Sequence, residues 1–354
     1  MRRVTTPAVW VLRSVGAAAT LASLVLFVPW NAAWAYSARL PATVGEQVEQ
    51  ATSQNGIDGI IVYVDRAAHP PEFYAAGWKD RHAKIPADPH ALFKIASISK
   101  LYIAVAATQL IAADRLSLDD TLAELQPDLA ERIENAGSIT LRMLLQHRSG
   151  IRNFTDDPKH DWVKPGDSAA MLNLILDDPA DFKPGSRHRY SNTNYLLIAR
   201  ILDKTLGYSH RDFIKAEILT PLNLTRTYSL MSEVDPAELM SGYVAGHSGD
   251  AKPLDYVTPG GSMIASAEDV GIFLRALNDG SLLSAEEQSI YASVYTFDHT
   301  GLLLGYQSIA RYHKDIDAVV VLFSSTSGKN SWMKSQAIYR RIVRILRNTK
   351  PHKE

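Results

Sequence analysis

The sequence predicts a mixed α/β (α+β) fold: one antiparallel sheet built from both chain ends, flanked by helices, with an α-rich region inserted between them. Three observations carry this prediction. Runs rich in β-branched residues lie early and late, at Ile57–Val64, Gly305–Tyr312 and Ala318–Ser324. The long middle reads as helices and irregular loops. The chain has 354 residues and is 46% apolar, enough for a large core without a disulfide or metal staple.

The elements follow in order. Arg2, Arg3 and Arg13 precede an uncharged stretch, Ser14–Ala38, which ends in a small-x-small site at Ala33-Trp34-Ala35. A basic start, an apolar run and small residues at −3 and −1 make a signal peptide over 1–35, cleaved after Ala35. Its removal takes away three arginines and moves the net charge from −1 to −4. The alternative is an uncleaved membrane anchor over 14–38, although Pro29 and Asn31 interrupt the run. The body, 36–354, divides into sheet regions at about 36–110 and 250–354 and an α-rich insertion at about 111–249. Ile57–Val64 and Phe73–Trp78 are paired strands. Ile98–Ala113 is apolar almost all round and so is a buried helix. Leu141–Leu145, Ala169–Leu176 and Tyr195–Leu206 are helical, and Phe182-Lys183-Pro184-Gly185-Ser186 is a turn. Ser266 caps a helix over Val270–Leu277. The two late strands form a hairpin around Lys314-Asp315-Ile316-Asp317. A closing helix, Ser331–Arg347, turns Ile338, Ile342 and Ile345 to one side and Arg340, Arg344 and Arg347 to another. That basic face is a solvated surface before it is a lipid contact.

Composition excludes several functions. The 37 basic and 38 acidic side chains lack the basic excess of a nucleic-acid binder. The absence of cysteine removes disulfides, thiol catalysis, iron–sulfur clusters and Cys-ligated zinc, and suits an exported, periplasmic or secreted bacterial chain. There is no H-E-x-x-H, no P-loop, no G-x-G-x-x-G and no G-x-S-x-G elbow. No cofactor and no metal is expected, and the chain is expected to act as a monomer.

Lys100 stands out. It falls in the first turn of the buried helix, where a lysine is rare without a partner or a function. Ser97 lies three residues before it, on the same helical face. A serine hydroxyl needs a base to become a nucleophile, and a desolvated lysine of lowered pKa is such a base. The helix N-terminus adds N–H donors and positive potential for an oxyanion. The plain reading makes Ser97 an N-cap and lets Lys100 snorkel to water. A second S-x-x-K, Ser331-Trp332-Met333-Lys334, opens a surface-like helix and is set aside.

Two further pieces follow in order: Tyr190-Ser191-Asn192, the chain's only Y-x-N, and His299-Thr300-Gly301 before the late hairpin. The ordered trio resembles the active-site signature of the serine β-lactamase and penicillin-binding protein superfamily, nearest its class C-like, D-Ala-D-Ala carboxypeptidase and esterase branches. Phe93–Lys100, Leu116–Asp120, Leu144–Gly150, Pro221–Leu224 and Gly260–Val270 are similar to other family segments, so the likeness runs from about 45 to 347. Arg148 departs from it, standing where relatives have a small polar residue.

The resemblance implies a β-lactamase/transpeptidase-like fold and a set of roles. Ser97 attacks an amide or ester carbonyl and becomes acylated. Lys100 and Tyr190 move its proton, and either could be the formal base; for Tyr190 to serve, its pKa near 10 has to fall. Asn192 bonds Lys100 and the substrate. His299, Thr300 and Gly301 line the far wall and meet a substrate carboxylate or carbonyl; His299 is either a pH-dependent charge there or a neutral hydrogen-bond donor holding the Thr300 strand edge. The backbone N–H groups of Ser97 and Leu302 form the oxyanion hole. The implied function is an exported acyl-enzyme hydrolase, D-Ala-D-Ala carboxypeptidase/penicillin-binding-like or β-lactamase-related. The alternatives are an esterase, a catalytically silent binding module and, if the N-terminal segment stays in place, a membrane-tethered cell-wall factor. The partner is a peptide or small molecule with an acyl carbonyl, not a nucleic acid, and a membrane only in the tethered case.

Overall fold

The computed structural model describes residues 7–27 and 39–349, so the Ala33-Trp34-Ala35 site lies outside the described residues. Residues Pro7–Phe27 form helix α1. Among the described residues, no helix is long and apolar enough to cross a membrane.

A six-stranded antiparallel sheet organises the body. Its strands are β1 (Gly59–Arg66), β2 (Glu72–Asp80), β3 (Ile85–Pro86), β4 (His299–Leu303), β5 (Tyr306–His313) and β6 (Ala318–Ser324), in the spatial order β3-β2-β1-β6-β5-β4. The early and late strands meet where β1 pairs β6, with Val62 opposite Leu322. The α-rich middle is therefore an insertion between the two halves of one sheet.

Alternation along the central strands divides the apolar side chains between two faces. On β1, Ile60, Val62 and Val64 face one core and Ile61 and Tyr63 the other; on β6, Val320 and Leu322 part from Val319, Val321 and Phe323 in the same way. Both faces are covered, which is why these antiparallel strands read as continuous apolar runs. Helix α2 (Val44–Ser53) and the C-terminal helix α7 (Ser331–Asn348) cover one face, burying Val48, Ile338 and Ile342. The other face carries α3 (Ser99–Ala112), α4 (Asn192–Leu206) and α5 (Ala267–Asp279). Tyr102 of α3 stacks on Phe273 of α5, ring centroids 3.8 Å apart. Helix α3 runs through this core with eleven of its fourteen residues buried, so a charge on it is costly unless its donors are all engaged.

Some elements differ from the expectation. Helix α2 and helix α6 (Ala285–Val294) were not anticipated. The segment His299–Leu303 is itself a strand, at the sheet edge, rather than a lead-in to the hairpin. Helix α7 is not unburied as its sequence suggested: its apolar side is core, while Arg347 pairs with Asp315 on the outside. In the set-aside S-x-x-K, Ser331 accepts from Gln307 Nε2 (2.8 Å) and Lys334 donates to the Asn55 carbonyl (2.7 Å), so the two point to different partners.

Candidate active site

Ser97 sits in a 3-10 turn, Ala96–Ile98, that leads into α3. It is not the N-cap: that position belongs to Ile98, which makes no side-chain cap bond. Ala96 holds φ +53°, a left-handed backbone that a non-glycine residue adopts only under surrounding restraint. The restraint is visible. Ser99 Oγ donates to the Ala96 carbonyl (2.6 Å) and accepts from Met263 N–H (3.2 Å), while Ser308 Oγ donates to the Ile95 carbonyl (2.9 Å). These bonds hold the half-buried Ser97 against the sheet edge.

Lys100 does not snorkel; it is 1% exposed. Its ammonium has three donors and three acceptors: Ser97 Oγ at 3.2 Å, Asn192 Oδ1 at 2.9 Å and the Gly260 carbonyl at 2.7 Å. None of these acceptors is a carboxylate, so burial dominates and brings the lysine pKa down to about 7. Gly260 has φ +80°, and a Cβ there would lie 3.1 Å from Lys100 Cγ and 3.3 Å from Nζ. The carbonyl reaches the lysine because this position carries no side chain.

Asn192 opens α4, and Tyr190 lies two residues before it in the approaching loop. The Asn192 amide is oriented from both ends. Its backbone N–H and Nδ2 donate to Asn153 Oδ1 (2.9 and 3.2 Å) and Nδ2 also to Thr155 Oγ1 (3.3 Å), leaving Oδ1 for Lys100. The Tyr190 side chain contacts Ser97, and its ring centre is 5.1 Å from Lys100 Nζ. Although 36% of the residue is exposed, burial around the phenol raises its pKa, outweighing the lowering by Ser97. This corrects the expectation that the Tyr190 pKa falls: a lysine half-deprotonated near neutral pH is a poor source of positive charge.

The far wall is edge strand β4. Gly301 lets it approach the Ser97 turn, since a Cβ there would stand 2.3 Å from Ser308 Oγ, 2.4 Å from the Ile95 carbonyl and 2.8 Å from Ala96 Cβ. Thr300 and Leu302 pair with Ile309 and Gln307 of β5, and the Leu302 side chain is 54% exposed. An edge strand turns every second N–H away from its neighbour. Of the two readings of His299, the geometry favours the neutral donor over the titrating charge. Its Nδ1 donates to the Thr300 carbonyl (2.5 Å), so Nε2 accepts from the Tyr295 hydroxyl (2.8 Å). Burial, with Lys100 nearby, lowers its pKa to about 4, so it is neutral at neutral pH.

Sequence reasoning missed several supporting residues. His147, 3% exposed, brackets Tyr190: its carbonyl accepts from Arg189 N–H (2.9 Å), its Nδ1 from Ser191 N–H (3.2 Å), and its ring lies 4.4 Å from the Tyr190 ring. Burial lowers the His147 pKa to about 2. Lys94, also buried, donates to the Lys252 and Leu254 carbonyls (2.7 and 2.5 Å) and pins the loop leading to Gly260. Arg148, the departure noted in the sequence, bonds the Gly185 carbonyl and ties down the turn before Tyr190. Among the described residues, no cluster of three or more His, Asp or Glu side chains is arranged to hold a metal.

A serine-bearing turn, a desolvated lysine and an edge strand thus meet on this fold. The beta-lactamase family profile matches residues 44–295. The chain therefore belongs to the beta-lactamase family of serine hydrolases. It is similar to penicillin-binding protein 4 of Amycolatopsis lactamdurans, 27% identical over 249 residues covering 66% of this chain and 63% of that protein. It is also similar to penicillin-binding protein 4* of Bacillus subtilis, 27% identical over 190 residues covering 52% of this chain and 41% of that one. The matches thus span less than two thirds of these relatives. Among solved structures, D-amino acid amidase of Ochrobactrum anthropi SV3, complexed with L-phenylalanine amide, superposes with a TM-score of 0.76 at 20% identity. That superposition covers 87% of this chain and 98% of the amidase, and it establishes the shared fold.

Proposed function

We propose that the chain hydrolyses an amide or ester bond through an acyl group carried on Ser97. The observation that carries this reading is the convergence of Ser97 Oγ, Asn192 Oδ1 and the Gly260 carbonyl on one lysine nitrogen whose pKa lies near 7. Neutral Lys100 takes the Ser97 proton as Oγ attacks the carbonyl carbon. Tyr190, kept as a phenol by burial, relays that proton and delivers it to the departing nitrogen or oxygen. The Ser97 and Leu302 N–H groups face the oxyanion, and β4 residues Thr300 and Gly301 align the substrate. Water then attacks the acyl-enzyme with Lys100 as base, releasing the acid and restoring Ser97. His299 fixes the start of β4 as a neutral ring.

Carboxypeptidase, β-lactamase, amidase and esterase forms of this reaction share these steps. They differ in what leaves and in how fast water clears the acyl group. The amidase likeness supports an amide substrate. The penicillin-binding names of the two curated relatives support a second reading, acylation by penicillins or by D-Ala-D-Ala-type peptides. Export as a soluble rather than a tethered enzyme rests on the 1–35 segment and is tested by N-terminal sequencing of the protein from the producing cell.

The test is incubation with a fluorescent penicillin and with a p-nitrophenyl ester, beside Ser97→Ala. Stable labelling identifies a penicillin-binding enzyme, turnover of the drug a β-lactamase, and ester turnover alone an esterase. Undiminished labelling or turnover by Ser97→Ala overturns the reading.

A further inference from the structure

A cleft of about 420 Å³ opens on the side of Tyr190 that lies toward the start of β4, between the Tyr190 loop and the end of α6. Its walls include Leu145, His147, Tyr190, Val294, Tyr295 and His299. Ser97 and Lys100 do not line it; the cleft begins where Tyr190 ends. We propose that this cleft is the leaving-group subsite of the Ser97 reaction and takes a flat, uncharged group, such as an aryl alcohol or aryl amine, in preference to one bearing a carboxylate. The inference rests on the acyl-enzyme reading and goes beyond it by naming what departs.

Position comes first. During acylation the bond between Ser97 Oγ and the acyl carbon forms, and the bond from that carbon to the leaving oxygen or nitrogen breaks. The leaving atom takes the proton that Ser97 gave up, and Tyr190 is the group that contacts Ser97 and also lines the cleft. Whatever is attached to the protonated atom extends past Tyr190 into this space.

The chemistry of the walls decides the class. None of the described lining residues is a carboxylate, a lysine or an arginine. His299 is engaged at both ring nitrogens, by Tyr295 and the Thr300 carbonyl, whereas His147 accepts from Ser191 N–H at Nδ1 and keeps Nε2 buried without a partner. Burial keeps both of them neutral. Arg189, the cation beside Tyr190 in sequence, pairs with Asp156 and Asp181. The remaining walls are the Tyr190 and Tyr295 rings, aliphatic side chains, the Gln146 amide, the Ser293 and Thr296 hydroxyls and, at the exposed rim, the His188 imidazole. Gln146 and Ser293 donate to backbone carbonyls; the rings stack on a flat group, and no lysine or arginine replaces the water of an anion. A D-Ala leaving group carries a carboxylate and is disfavoured here, while an aryl or simple amide leaving group is not.

The test compares two esters with the same acyl group, the 4-carbamoylphenyl and the 4-carboxyphenyl ester, each normalised to its rate with hydroxide. The neutral ester is expected to exceed the anionic one in kcat/KM by at least about tenfold, and 4-hydroxybenzamide to inhibit more strongly than 4-hydroxybenzoate. Ala292→Arg, which places a cation on an exposed lining position, is expected to narrow the ratio at least about threefold. A normal Ser97 adduct with equal kcat/KM for the two esters, or a ratio unmoved by Ala292→Arg, overturns this subsite. Absence of a Ser97 adduct from both esters overturns the acyl-enzyme reading and the subsite together.

Discussion

Lys100 Nζ donates to Asn192 Oδ1 across 2.9 Å, although the two residues are 92 positions apart. The bond joins the head of α3 to the head of α4 and turns Lys100 toward Ser97. With every donor engaged by a neutral acceptor, the lysine is held in place without a counter-charge, and burial lowers its pKa.

The first prediction concerns pH and Lys100. Acylation needs the neutral lysine, so kcat/KM for an uncharged ester should rise with unit slope and level off above about pH 7. Lys100→Met should lower kcat/KM by about 10³-fold or more. Because the folded-state pKa lies below the unfolded value, the unfolded chain binds this proton more readily between about pH 7 and 10, and native stability rises with pH through that window. Lys100→Met should therefore gain more in Tm at pH 6 than at pH 10. Paired melting curves decide this, and an equal shift at both pH values would show that Lys100 carries no buried charge.

The second concerns Asn153, whose Oδ1 accepts from both the backbone N–H and the side-chain amide Nδ2 of Asn192. Asn153→Ala frees that amide to rotate, and kcat should fall by about tenfold with KM changed less. Asn153→Asp keeps the acceptor but turns a bond to the Asp156 carboxylate into a like-charge contact, so it should restore part of kcat at some cost in Tm. Steady-state kinetics on the pair separates orientation from simple destabilisation.

Gly301→Ala is the third. The new methyl would meet Ser308 Oγ, the Ile95 carbonyl and Ala96 Cβ, so β4 has to move away from the Ser97 turn. Activity should drop by at least about 10²-fold. Adding Ser308→Ala relieves one contact only and should not rescue it. Full rescue in the double variant would show that β4 and the turn need not touch.

The fourth concerns His299. Its lowered pKa, about 4, means that it stays neutral across the working range. Profiles of kcat/KM against pH for a carboxylate-bearing ester and an uncharged ester should have the same shape from about pH 5 to 8. A fall confined to the anionic substrate as pH rises through about 6.5 would restore charge recognition by His299.

Much of the site was legible because its signals are local. Ser97 and Lys100 stand one helical turn apart at the head of an apolar helix, where a lysine needs a reason. Tyr190 and Asn192 bracket a helix start, and the β-branched apolar runs at both ends announce a sheet shared between them. What escaped depends on distant contacts. The Gly260 acceptor is a backbone carbonyl, which leaves no side-chain signature. His147 and Asn153 act through bonds to residues about forty positions away. The choice between a charged and a neutral His299 turns on Tyr295 and burial, contacts of the folded chain that the sequence around one histidine does not carry. Helix α6 did carry a readable start, the Ser284–Glu287 capping box, but its apolar pattern is too faint to extend it.

The most direct measurement is rapid acid quenching during ester turnover, followed by proteolysis and mass mapping of the acylated peptide. The account predicts one acyl group, on Ser97, formed in a burst in the native chain and missing in Ser97→Ala. An acyl group on another residue, or turnover by Ser97→Ala at the native rate, would contradict it.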